Sequence, residues 1–325
     1  MSEYVSSASQ TKKFSLNTDI LKRIPPAVWI DLILVLFFSI KTKNFLSGSN
    51  LVNIAVQLTP LLIVSCAQTL VVLMQGTDLS LGASLNMVTV IWILFMEGGI
   101  GTFPAILLAI GAAVFAGFLN GVIVAKLKLP IFIATLGMAN ILNSIALTTS
   151  NGSSVFYSNP IYAFISKKVI LGLPFMVWIG ILCVLLTQLM LTRTRMGARI
   201  RALGGNPEAL NFAGFSVDRA TIEVFCVTGL LAGIAGITLA SRIQSGNPIA
   251  GNGFEFNSAA AVLLGGTSMR EGRGSVIGTV FGVILIQLLR NGLVMLNVSS
   301  IYQSAIIGIV VLLAIIVDAF IKKES

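Results

Sequence analysis

Arg193-Thr-Arg-Met-Gly-Ala-Arg-Ile-Arg-Ala-Leu-Gly-Gly-Asn-Pro-Glu-Ala-Leu-Asn-Phe-Ala-Gly-Phe215 is the one long basic stretch of this chain, set between the apolar runs 171–192 and 221–241. Its second half spells a short helix by local rules. Asn206 is the N-cap, Pro207 takes the first helical position, Glu208 sits in the first turn against the helix dipole, and Gly214 ends the helix. A compact, capped helix between two membrane spans is a device for gripping another molecule, and its charge places it on the cytoplasmic side.

The rest of the chain fits that frame. Of 325 residues, 56% are hydrophobic and 10% charged, against about 25% charged in soluble domains. Nearly every window between Ala27 and Phe320 is dominated by Leu, Ile, Val, Ala, Phe and Gly, so a water-soluble fold is excluded and a polytopic membrane protein is expected. The net charge of +9 lies in short clusters beside apolar runs, as topology determinants do, and does not indicate nucleic acid. Histidine is absent, which removes a histidine base, metal site or proton relay together. Cys66, Cys183 and Cys226 each sit inside an apolar run without metal-ligand spacing and read as small core residues.

About ten spans are expected, over 25–40, 51–75, 79–97, 102–125, 130–148, 171–192, 221–241, 255–269, 274–296 and 301–320. The first follows Lys12, Lys13, Lys22 and Arg23, opens on Pro25-Pro26 and carries Trp29 as an interfacial anchor. Lys41-Thr-Lys43 follows it without a small-residue cleavage pattern, so it is read as an uncleaved span. With both termini cytoplasmic, the inside loops collect Lys126, Lys128, the Arg193 to Arg219 group, Arg270, Arg273, Lys322 and Lys323. The outside loops keep only Lys41, Lys43, Lys167, Lys168 and Arg242.

Not every span reads as a regular helix. Asn252-Gly-Phe-Glu-Phe-Asn-Ser-Ala-Ala-Ala-Val-Leu-Leu-Gly-Gly-Thr267 is short and glycine-broken, and such backbone at membrane depth belongs beside protein or a water-filled path. Val72-Leu-Met-Gln-Gly-Thr77 and Val262-Leu-Leu-Gly-Gly-Thr267 echo each other, a weak sign of internal duplication. The longest outside connection, Thr149 to Val169, reads first as a plain loop and second as a docking place for a partner.

Polar groups inside the apolar runs are the candidates for a translocation path. Asp78, in Gly76-Thr-Asp-Leu-Ser-Leu-Gly82, either faces a cavity or caps the third span. Glu255 stands at the edge of another run. Asn86, Asn120, Asn140, Asn143, Asn257, Thr267, Gln287 and Asn291 complete the set. Amides offer a donor and an acceptor without the desolvation cost of a charge, which suits an uncharged polyhydroxyl solute; singly, each reads first as glue between helices. Gly229, Gly233 and Gly236 read as a packing seam. There is no Gly-x-x-x-x-Gly-Lys-Ser/Thr, so ATP, if it powers this chain, is bound by another subunit.

At this point the motifs resemble a known family, the permease subunits of ribose-type ABC sugar importers within the branched-chain permease group. The resemblance rests on Gly76-Thr-Asp-Leu-Ser-Leu-Gly82, Phe132-Ile-Ala-Thr-Leu-Gly-Met138, Thr194-Arg-Met-Gly197, Ala202-Leu-Gly-Gly-Asn206, Leu263-Leu-Gly-Gly-Thr-Ser268, Gly272-Arg-Gly274 with Gly278-Thr279, and Asn291-Gly-Leu293 with Val298-Ser-Ser300, in this order. It implies an all-α fold like that of type II ABC importers, with some helices broken or re-entrant. A permease domain over 25–320 would follow a cytoplasmic segment 1–24, carry a cytoplasmic coupling loop over 193–220 and precede a tail over 321–325. The implied setting is a bacterial inner membrane. The implied partners are the ABC ATPase subunits with their ATP and Mg, a second permease copy or paralogue, an extracytoplasmic sugar-binding protein and the lipid bilayer; no cofactor is expected on this chain. Arg195, Gly197, Gly204, Gly205, Asn206, Pro207, Glu208 and Gly214 would couple to the ATPase. The sequence departs from the family pattern at Thr77 (usually Ile), at Asn143-Ser144 (an Arg-Gly pair), at Glu255-Phe256-Asn257 (Glu-Leu-Asp) and at Gly197-Ala198 (Gly-Arg).

Two other readings stay open on the residues alone. One is an ABC permease for a solute other than a sugar; the other is an ion-coupled secondary transporter in which Asp78 and Glu255 carry the ion or proton. An intramembrane enzyme ranks last, because a nucleophile with a base is missing.

Overall fold

The computed structural model describes residues 26–269 and 272–323. Lys12, Lys13, Lys22, Arg23, Pro25 and Arg270, on which part of the topology reading rests, lie outside the described residues, as do the N-terminal segment 1–24 and the last two residues of the tail.

The chain is mostly helical. In order it forms α1 (Pro26–Lys41), α2 (Gly48–Leu73), α3 (Leu81–Glu97), α4 (Thr102–Lys126), α5 (Ile131–Thr149), α6 (Pro160–Lys167), α7 (Phe175–Arg193), α8 (Arg195–Gly205), α9 (Pro207–Phe212), α10 (Val217–Ile243), α11 (Phe254–Leu264), α12 (Val276–Met295) and α13 (Ser300–Lys323). One departure from the all-α expectation is a hairpin between α6 and α7, β1 (Val169–Ile170) and β2 (Leu173–Pro174). Leu171 and Gly172 both take positive φ, 48° and 83°, the backbone that a two-residue hairpin turn demands.

Among the described residues, six helices, α2, α4, α5, α7, α10 and α12, are long and apolar enough to cross a membrane. The count of about ten crossings is not confirmed on those terms, since α1 and α3, of 16 and 17 residues, and α11 fall short in length. α11 has 11 residues, or about 16 Å at 1.5 Å per residue, half of a hydrocarbon core. The helix in the glycine-broken stretch is thus too short to cross such a core by itself.

The core forms around α2 and α10. Every residue of α2 from Thr59 to Leu73 is buried, although Pro60 removes one helical hydrogen bond, a defect tolerated where neighbouring helices enclose it. α10 packs against α4 along a stripe of small residues four apart, Ala105, Ala109, Ala113, Gly117 and Gly121. A side chain at Gly117 would strike the Phe225 carbonyl, and one at Gly229 the Ala113 carbonyl, so the two backbones touch. Gly233 and Gly236 extend the seam against Ile110 and Val88, which makes all three glycines read from the sequence packing residues. Cys66 and Cys183 are buried, Cys226 is half-buried, and all three are free thiols.

The connection 149–169 is folded rather than slack. Val155 pairs with Gly246, and α6 buries Tyr162 edge-on against Trp92 of α3, with ring centroids 5.2 Å apart.

α2 and α11 end alike. Gly76 N–H donates to the Val71 carbonyl and Thr267 N–H to the Val262 carbonyl, and the residue before each donor, Gln75 or Gly266, is left-handed with φ 63° or 83°. Val71 thus matches Val262 in geometry, whereas the sequence echo aligns Val72 with Val262. The echo is displaced by one residue from the structural match.

Candidate functional site

The bundle has an arm end, where α8 and α9 lie between α7 and α10, and a far end, which carries α6 and the hairpin. Between them runs a polar seam.

From the far end of α10 the chain does not continue as helix. Gln244-Ser-Gly-Asn-Pro-Ile-Ala-Gly-Asn-Gly253 descends as an irregular strap along α3. Its polar groups are met in turn by α3. Thr89 Oγ1 donates to the Asn247 carbonyl (2.9 Å) and accepts from its N–H (3.2 Å). Asn86 Oδ1 accepts from Gly251 N–H (2.6 Å), and its Nδ2 donates to Asn252 Oδ1 (2.7 Å) and to Asn143 Oδ1 of α5 (2.9 Å). Below them, the Glu255 carboxylate lies against Gly82, where any side chain would collide with it. Glu255 Oε1 accepts from Gly253 N–H (3.2 Å), while Oε2 is buried without a partner among the described residues. Non-helical backbone at membrane depth requires this kind of internal satisfaction.

Asn86, Asn143 and Glu255 are therefore brought together, and the strap residue Asn252 joins them. Asn140 stands one turn from Asn143 on an exposed face of α5. Asn257, one turn past Gly253 in α11, is half-buried.

Asp78 belongs to a second group at the start of α3. It is 2% exposed, and its Oδ1 accepts from both Ser80 N–H (2.8 Å) and Ser80 Oγ (2.6 Å). Asn120 of α4 donates to Ser80 Oγ (2.9 Å), and Thr135 of α5 accepts from Leu79 N–H (3.1 Å). The N-cap position of α3 is Ser80, so Asp78 pins the turn before the helix instead of capping it.

Three of the candidate path residues are placed elsewhere. Asn291 and Asn50 exchange amide hydrogen bonds between α12 and α2 (2.9 and 3.0 Å). Gln287 donates to Gln57 Oε1 (2.9 Å). Both act as glue between those helices, which a single sequence does not distinguish from a path. Thr267 is buried under Gly274, its hydroxyl without a partner among the described residues.

The arm keeps its expected local form and adds to it. Asn206 Oδ1 accepts from Ala209 N–H (3.0 Å), Pro207 and Glu208 open α9, and Gly214 ends it with φ 82°. α8, which the sequence reading left as basic chain, is a helix capped by Thr194 (3.2 Å to Gly197 N–H). Arg195 begins it, and Gly197 sits on the Leu191 and Met190 carbonyls. Gly204 is wedged between the Leu73 carbonyl at the end of α2 and Gly272 in the α11–α12 connection, and its own carbonyl accepts from Gln75 Nε2 (2.6 Å). Gly205 lines an apolar groove of about 550 Å³ with Ala198, Ala202, Ala209, Leu210, Ala213 and Phe215.

The residues missed in the sequence are those of the strap, Asn247, Gly251 and Asn252, with its partner Thr89, and the partners of the Asp78 turn, Ser80 and Thr135. An Asn- and Gly-rich decapeptide between two apolar runs is the sign that marks the strap.

Residues 50–315 match the family described as branched-chain amino acid transport system / permease component. The chain belongs to this permease family. The permease is 39% identical over 293 residues to the ribose import permease protein of Escherichia coli K12, covering 88% of this chain and 91% of the relative. It is 33% identical over 319 residues to the ribose import permease protein of Bacillus subtilis (97% and 98% covered) and 32% identical over 310 residues to the fructose import permease protein of Rhizobium meliloti (92% and 86% covered). No solved structure matches the permease.

Proposed function

We propose that this permease is the membrane subunit of an ABC importer for a monosaccharide, ribose or a close relative. The sugar would arrive from an extracytoplasmic binding protein, and a separate ATPase carrying ATP and Mg would drive the cycle. A second permease copy or paralogue completes the path, and both termini face the cytoplasm of a bacterial cell.

The observation that carries this reading is the wedge at Gly204. α8 touches the α2–α3 connection and the α11–α12 connection at once. A displacement of α8 and α9 by an ATPase therefore reaches Asp78 and the start of α3 on one side and α11 with Glu255 on the other. These are the elements that carry the polar seam. Asn140, Asn143, Asn252, Glu255 and Asn257 are assigned to the path, where amides meet hydroxyls weakly enough for release, with the buried Asn86 holding Asn143 and Asn252 in place. Names of relatives that import ribose, allose and fructose support a sugar as cargo.

The test is uptake of labelled ribose into proteoliposomes holding the permease, its ATPase and its binding protein. Uptake that needs all three components and ATP supports the assignment. Uptake by the permease alone, driven by an ion gradient, overturns it.

A further inference from the structure

A second pocket at the arm end belongs neither to the seam nor to the α8–α9 groove. It holds about 620 Å³ between α4, α8 and α10, lined by Phe118, Lys126, Met196, Arg219, Ile222 and Val227, with Ser216, Asp218, Glu223 and Cys226 completing it. Its depth follows from helix geometry. Phe118 lies eight residues from Lys126 at the end of α4, and Val227 ten residues from Val217 at the start of α10. At 1.5 Å per residue, the apolar wall runs about 12–15 Å from the helix ends into the bundle's flank.

The rim is cationic once its acids are counted. Asp218 is held by Lys126 (3.0 Å) and Lys128 (2.7 Å), and Glu223 by Arg199 (3.0 Å). Both carboxylates are thus committed, and Arg219 meets no carboxylate among the described residues. An apolar slot on the outside of a membrane bundle, closed at the water side by surplus positive charge, matches one molecule that the bilayer itself supplies.

We propose that this pocket binds an anionic phospholipid, its phosphate at Arg219 and Lys126 and one acyl chain along Phe118, Ile222 and Val227. Met196 belongs to α8, so the bound lipid ties the coupling arm to α4 and α10. The site stands on its own geometry; the leaflet, and the effect on coupling, rest on the function proposed above.

Native mass spectrometry of the purified chain, without its ATPase, titrated with dioleoylphosphatidylglycerol or dioleoylphosphatidylcholine, tests it. Phosphatidylglycerol should be retained over phosphatidylcholine. Arg219→Gln should weaken it about fivefold, the effect of one cation near a membrane surface. Ile222→Trp should exclude both lipids by filling the slot, with helix content unchanged by circular dichroism. Equal retention of the two lipids, or no effect of Arg219→Gln, overturns the headgroup site, and retention in Ile222→Trp overturns the pocket. If Arg219→Gln abolishes ATPase capture while lipid binding is unchanged, the rim serves the partner protein and the proposal fails.

Discussion

The side-chain amide of Gln75 donates to the main-chain carbonyl of Gly204 across 2.6 Å, joining the turn after the buried helix α2 to the end of the arm. A side chain at Gly204 would meet the Leu73 carbonyl head-on. Gly204→Val should leave the protein in the membrane but forces α8 away from α2. ATP hydrolysis by the assembled complex should then continue without sugar uptake. Gln75→Ala removes the hydrogen bond to Gly204, worth about 0.5–1.5 kcal/mol, without pushing α8 off α2, and should be milder. Equal uptake by both variants would refute the wedge.

Phe212 is 89% exposed at the end of α9. Burial against a partner would account for such a side chain. Phe212→Ser should leave thermal stability within about 0.5 kcal/mol, as surface changes do, and lower the amount of ATPase that co-purifies. A variant that binds the ATPase normally would move the contact elsewhere on the arm.

Asn86 gives and takes three hydrogen bonds, all toward the strap and α5. Asn86→Ala leaves Gly251 N–H unanswered in a buried place and should cost about 2–3 kcal/mol. Thermal unfolding in detergent measures this, and protease cleavage within 244–253 should accelerate. An unchanged melting curve would mean that the strap is held by other contacts.

Asp78 and Glu255 separate ATP-driven from ion-driven transport. In the proposed importer neither carries a proton, so Asp78→Asn with Glu255→Gln should keep most uptake and its dependence on ATP. Loss of uptake together with loss of its response to a pH gradient would favour the ion-coupled reading.

What was legible and what was not divides along the chain by the range of the interactions. The α9 helix was readable because Asn206, Pro207 and Gly214 act on their own neighbours. The α10 side of the small-residue seam was readable because Gly229, Gly233 and Gly236, spaced four and three apart, fall on one helix face, whereas the matching stripe on α4 was not picked out. The roles of the amides were not: Asn86 and Asn291 look alike in sequence, and only the partner 165 positions away at Gly251, or 241 away at Asn50, makes one a clamp on the strap and the other a helix tie. α8 was overlooked because its polar, arginine-rich surface hides the buried face of Ile200 and Leu203. The strap was overlooked because its hydrogen bonds are supplied by α3 and not by itself.

The strap is fastened unevenly. Near the far end it is held twice by Thr89 and again by the Val155–Gly246 pairing, in the middle by Asn86, and at its lower end by the short return of Glu255 to Gly253 beside Gly82. A pull on the lower edge unlaces it like a boot, loosening the bottom eyelet first while the top stays tied. The fastening is thus graded along its length, with the fewest ties at the edge beside the arm and the most at the opposite edge.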